Sequence, residues 1–181
     1  MKITFQSPFI IAFTILATLM YLLTEYNGVP LRICVLSGTF VADDFNTYVS
    51  CLGYTLGHAN VEHLVGNLSF ILLLGPILET KYGTKELVFM SSATAIITAV
   101  IHVFFFDENL IGASGIVFLF IILSSLINIK NKELPFTFLC IVFLFLGQEI
   151  WASFQADNVS QLAHICGGLT GIFFGYYYRS N

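Results

Sequence analysis

Long apolar runs separated by short charged segments dominate this chain. A helix that crosses a bilayer needs about 20 mostly apolar residues. The charges cut the sequence into six such stretches, approximately 5–24, 60–78, 87–106, 112–129, 135–150 and 162–178. The pattern predicts an all-α, polytopic membrane protein: one domain over 1–181 built as a bundle of six transmembrane helices. Lys2 precedes the first run as in a signal peptide, but the run is long enough to span and no A-x-A-like cleavage site follows it, so it reads as a retained helix. The connection at about 25–59 is too long to be structureless. Its Gly28, Pro30, Gly38 and Gly53, mixed with Val29, Leu31, Val35, Leu36 and Phe40, predict short helices at the outer interface.

The distribution of charge orients the bundle. Six helices put both termini on one side, together with Lys2, Lys81, Lys85, Lys130, Lys132 and Arg179. The other side holds Arg32 among Glu25, Asp43, Asp44, Asp107, Glu108, Glu149 and Asp157. Basic residues collect on the cytoplasmic side of membrane proteins, so both termini are expected there, with a bacterial inner membrane as the expected setting. Tyr176, Tyr177 and Tyr178 before Arg179 fit an interfacial anchor.

Composition agrees with a lipid bilayer as surroundings. The chain is 57% hydrophobic and 10% charged, with mean hydropathy +0.87, whereas soluble domains carry about 25% charged residues. Seven Lys and Arg against eleven Asp and Glu give net charge −4 and no basic stripe, which excludes nucleic acid as a partner. Cysteines 34, 51, 140 and 166 contain no CxxC, so neither a disulfide scaffold nor a zinc ribbon is signalled. Cys34 and Cys51 share the outer segment and are read equally as a pair or as two free thiols.

In such a chain, polar residues inside the helices are informative, because burying them in lipid is costly. His58, His63 and Asn67 lie where the second helix enters, Gly112-Ala113-Ser114-Gly115 opens the fourth, and Ala163-His164 opens the sixth. All three helices enter from the outer side, so topology brings the clusters to one depth. Taken singly, each has a plainer explanation: a serine opening a helix is usually an N-cap, glycines serve packing, and a histidine near an interface is usually solvated. His102 has no motif around it and is read as such a solvated histidine.

Together the clusters suggest chemistry. Gly167, Gly171 and Gly175 repeat every fourth residue, a small-residue stripe that admits a neighbouring backbone, and His164 belongs to the same face. If the fourth helix packs there, Ser114 and His164 reach hydrogen-bond distance, as a serine nucleophile and its general base require. No acid orients His164 from within a membrane segment, so a dyad fits better than a triad. His63 and Asn67 share a helical face and, with the Ser114 N–H, offer oxyanion donors. His58 lies about 140° around a helix from His63, a poor chelating arrangement. No HExxH is present, which argues against a zinc protease.

These residues resemble the rhomboid family of intramembrane serine proteases at four places, in the family's order. They are His58-x4-His63-x3-Asn67, Gly75-x3-Glu79-x3-Gly83, Gly112-Ala113-Ser114-Gly115 and Ala163-His164-x2-Gly167-x3-Gly171. The resemblance implies Ser114 as nucleophile, His164 as base, and His63, Asn67 and the Ser114 amide as oxyanion donors. It implies His58 in support, Gly112 and Gly115 shaping the nucleophile turn, and Gly167 and Gly171 in helix contact. Glu79 would hold the cytoplasmic end by hydrogen bonding. The chain departs from the family in lacking its Trp-Arg pair in the outer loop and in having Phe118 where tyrosine is usual; Phe118 keeps a ring to pack on His164 but no hydroxyl. No cofactor and no metal is expected. The implied partners are transmembrane protein substrates and the lipid bilayer, and small residues are expected at the cut. The rivals are a non-catalytic rhomboid-like protein that binds membrane helices, a metal-dependent hydrolase using His58, His63 and His164, and a transporter. Phe136, Phe138, Phe143 and Phe145 on the fifth helix suggest either a lateral gate or, more simply, lipid contact.

Overall fold

The computed structural model describes residues 6–127, 136–141, 143–144 and 158–178. Lys2, Lys130, Lys132, Phe145, Glu149, Asp157 and Arg179 lie outside the described residues. Seven α-helices are described: α1 (Pro8–Asn27), α2 (Phe45–Gly53), α3 (Val61–Tyr82), α4 (Thr84–Phe105), α5 (Ser114–Leu126), α6 (Phe136–Ile141) and α7 (Asn158–Tyr177). The only β pairing among the described residues is an isolated antiparallel bridge between Leu36 and Leu110.

Local chemistry accounts for the boundaries. Pro8 opens α1, where its missing N–H is harmless. Gly28 closes it in the left-handed region at φ 71°, a conformation that favours glycine. Asp44 caps α2 by accepting from the Asn46 N–H. That bond and the Asn46 side chain, aided by Arg32, hold the Asp44 carboxyl below the usual carboxylate range. Asn60 caps α3 by accepting from the His63 N–H at 2.7 Å. Gly83, at φ 86°, is the single residue between α3 and α4.

Among the described residues, three helices, α1, α3 and α4, are long and apolar enough to cross a membrane. Their outward residues, such as Leu22, Leu73 and Ile97, are exposed hydrocarbon that suits lipid. The fold is that of an integral membrane protein. By contrast, α5 has 13 residues, about 20 Å at 1.5 Å per residue. It is buried continuously from Gly115 to Leu123 and forms the axis of the core. The segment between α1 and α3 holds α2 and two 3-10 turns, Arg32–Cys34 and Tyr54–Leu56. Cys34 and Cys51 are free thiols there.

Two close approaches assemble the bundle. A side chain at Gly75 would collide with Ile10, so glycine lets α1 lie against α3. Beside it the buried Glu79 carboxylate accepts from the N–H groups of Phe9 (3.0 Å) and Ile10 (3.1 Å) and from the Thr84 hydroxyl (2.7 Å). These satisfy donors that the first turn of α1 would otherwise bury unpaired. On the other side of the core, α7 presents Gly167, Gly171 and Gly175 to α5.

His102 differs from the expected solvated histidine: it is fully buried. Its Nε2–H donates to the Glu108 carbonyl at 2.8 Å, and its ring stacks on Phe106. The chain folds back after α4, so the imidazole supplies a donor to a carbonyl of the returning loop.

Candidate active site

Ser114 is the first residue of α5, and Ala113 occupies the cap position. The serine is therefore not the N-cap that its place suggests, and alanine offers no side-chain acceptor there. The preceding Gly112 has φ 125°, in the range that favours glycine. A Cβ there would also stand 2.6 Å from His63 Cε1 and 2.7 Å from His63 Nε2. Glycine thus brings the turn against the imidazole edge. The turn is held from outside as well, because the Gly112 N–H donates to the Tyr54 carbonyl at 2.9 Å. Tyr54 itself is buried, and its hydroxyl donates to the Ala95 carbonyl of α4.

On the facing helix, Gly167 and Gly115 make the closest contact. A Cβ on Gly167 would overlap the Gly115 carbonyl oxygen and sit 3.0 Å from Phe118 Cβ, while a Cβ on Gly115 would meet the Ala163 carbonyl at 3.1 Å. One turn further, a Cβ on Gly171 would lie 2.8 Å from Ile122 Cβ. This packing sets His164 beside Phe118, whose ring stacks on the imidazole at 4.3 Å with planes 7° apart. The phenyl ring keeps the stacking surface without a hydroxyl.

A cavity of about 740 Å³ lies between these elements. Ser114, His164, His63 and Asn67 all line it, with Glu62, Gly66, Phe70, Asn109 and Phe118 among its other walls. Residues from three separate parts of the chain thus face one space. His58 is not part of that lining. It sits just behind, with its ring 5.1 Å from that of His63 and its Nδ1–H donating to the Leu56 carbonyl at 3.3 Å. Burial and the neighbouring His63 push His58 down to about 4, so its imidazole is neutral at pH 7. Among the described residues, no three His, Cys, Asp or Glu side chains converge in a way that could hold a metal ion. Of the aromatic residues on the fifth stretch, Phe136 and Phe143 are exposed and Phe138 is buried.

Asn60 and Asn109 are further participants. Asn60 fixes the backbone of His63, and an asparagine ahead of an apolar run is a legible N-cap signal. Asn109 lines the cavity through a fold of the loop that joins Leu110 to Leu36, a long-range pairing with no local signal.

An all-helical membrane protein with a largely apolar cavity into which serine, histidine and asparagine side chains are set is the class these features define. Residues 46–181 match the sequence model of the Rhomboid domain, and the chain belongs to the rhomboid family. It is 35% identical over 140 residues to Rhomboid-related protein 1 of Caenorhabditis elegans, covering 68% of this chain and 38% of that protein. It is 21% identical over 128 residues to Rhomboid protease GlpG of Haemophilus influenzae, covering 69% of this chain and 67% of that one. The chain thus spans well under half the length of the nematode relative.

Proposed function

We propose that this chain is an intramembrane serine endopeptidase that hydrolyses peptide bonds in or near the transmembrane segments of other proteins. The observation that carries the reading is the single cavity lined by Ser114, His164, His63 and Asn67. Family membership and the resemblance to a rhomboid protease support it. In this reading Ser114 Oγ attacks the scissile carbonyl carbon while His164 takes the hydroxyl proton. His63, Asn67 and the Ser114 N–H stabilise the oxyanion. The serine amide stands at the start of α5, where the helix leaves N–H groups unpaired and carries positive partial charge. Collapse of the intermediate breaks the C–N bond, and His164 protonates the leaving amine. Water, activated by His164, then hydrolyses the acyl ester and restores Ser114.

Six crossings with both termini cytoplasmic belong to the same proposal. Lys81 and Lys85 flank the α3–α4 turn, at the opposite end of α3 from His63, so positive charge inside leaves the cavity at the outer face.

The purified protein in proteoliposomes is expected to cleave a model transmembrane substrate, and Ser114→Ala and His164→Ala are expected to abolish cleavage. A fluorophosphonate is expected to label the wild type and not Ser114→Ala. Undiminished cleavage by both folded variants refutes the dyad. Binding of membrane helices with no cleavage by the wild type would favour a non-catalytic rhomboid-like protein.

A further inference from the structure

The wall of the cavity along α3 carries a charged side chain, Glu62. Among the described residues, Glu62 is the sole carboxylate lining the cavity, and no described lysine or arginine lines it. It is the second residue of α3, exposed, and forms no ion pair among the described residues. Arg32, the basic residue of the outer segment, is paired with Asp44. Phe70, Leu110, Ile111, Val117 and Phe118 make much of the remaining wall apolar. In a cleft with low-dielectric walls, a charge that finds no partner among the described residues is felt more strongly than on open surface.

Geometry fixes which part of a bound chain would feel it. Glu62 shares a stripe of α3 with Gly66 and Phe70, which also line the cavity. It precedes Asn67 by five residues, about 140° around the helix and about 7.5 Å along its axis toward the outer end. An extended peptide advances about 3.3 Å per residue. A side chain two or three residues to the outer side of the scissile carbonyl therefore comes level with the carboxylate.

We propose that Glu62 is a specificity-determining residue that selects substrates with Lys or Arg two or three residues to the outer side of the cut and rejects Asp or Glu there. This rests on the protease reading above. The aliphatic stems of Lys and Arg cover the apolar wall while their charged heads reach the carboxylate in water. An acidic side chain at the same place meets like charge.

The test uses matched transmembrane peptides that differ only in Lys, Gln or Glu at that position, with wild type, Glu62→Gln and Glu62→Lys in proteoliposomes. The wild type is expected to favour Lys over Glu by about tenfold in kcat/KM, decreasing with added salt. Glu62→Gln should remove the preference and Glu62→Lys should reverse it. Cleavage in an order that neither variant changes overturns the assignment and leaves the protease reading standing. If nothing is cleaved, photocrosslinking of the same peptides to Ser114→Ala decides. Preference for Lys that is lost in Ser114→Ala/Glu62→Gln supports Glu62 while the protease reading fails, and charge-independent binding overturns both.

Discussion

Adding one methyl group at Gly167 should harm activity far more than adding it at Gly175, although both glycines lie on the same stripe of α7. At Gly167 the new Cβ would stand 2.9 Å from the Gly115 carbonyl carbon, 3.0 Å from Phe118 Cβ, and closer still to the Gly115 carbonyl oxygen. Backbone atoms cannot rotate aside. Restoring ordinary contact therefore requires α5 and α7 to separate by about 1 Å in a close-packed interior. Overpacking of this kind typically costs about 1–3 kcal/mol. Ser114 rides on one of these helices and His164 on the other, so the same separation opens the proposed dyad. A misplacement of about 1 Å can lower the rate about 100-fold. At Gly175 the added methyl meets chiefly the Cδ1 end of Leu126, which can change rotamer. Gly171 is intermediate, because its neighbour is the stiff β-branched Ile122. Measured in one detergent, kcat/KM should fall in the order Gly175→Ala, Gly171→Ala, Gly167→Ala, with the first within about twofold of wild type and the last reduced about 100-fold. The unfolding temperature should follow the same order. A Gly167→Ala protein as active as Gly175→Ala would refute the reasoning.

Two further changes probe the supports of the site. Glu79→Ala leaves the Phe9 and Ile10 N–H groups without their acceptor and should cost about 2–4 kcal/mol. Glu79→Gln keeps an acceptor and should cost less, and equal unfolding temperatures for Glu79→Ala and wild type would contradict this. His58 falls from 6.5 to about 4 in the fold, so between those values the unfolded chain holds the extra proton. Its contribution is complete above about pH 6.5 and is lost as pH falls toward 4, by about 2 kcal/mol at pH 5. His58→Gln should flatten that slope in thermal unfolding, and a variant as pH-sensitive as the wild type would contradict the assignment.

What was legible in the sequence, and what was not, follows from the range of the interactions. The spacing of His63, Asn67, Ser114, His164 and the glycines at 167 and 171 is local within each helix, so the motifs could be read directly. Their convergence needed only that three helices begin on the same side of a membrane, because helix starts at one depth place their first turns together. The Glu79 bonds to α1 are expected only from the family resemblance; the structure gives the physical reason, since a buried carboxylate must find donors. The burial of His102 is not legible in the sequence, because its acceptor, the Glu108 carbonyl, becomes available only when the loop after α4 folds back. No periodicity encodes that return. Asn109 eluded sequence reasoning for the same reason, since its position depends on the bridge between Leu36 and Leu110. The nucleophile turn shows how the two kinds of information meet. Gly112 is readable as a glycine that permits unusual backbone, but its φ of 125° also serves to clear the His63 ring. The backbone freedom of one residue thus sets the distance between two helices, so a substitution there would change the cavity at both walls at once.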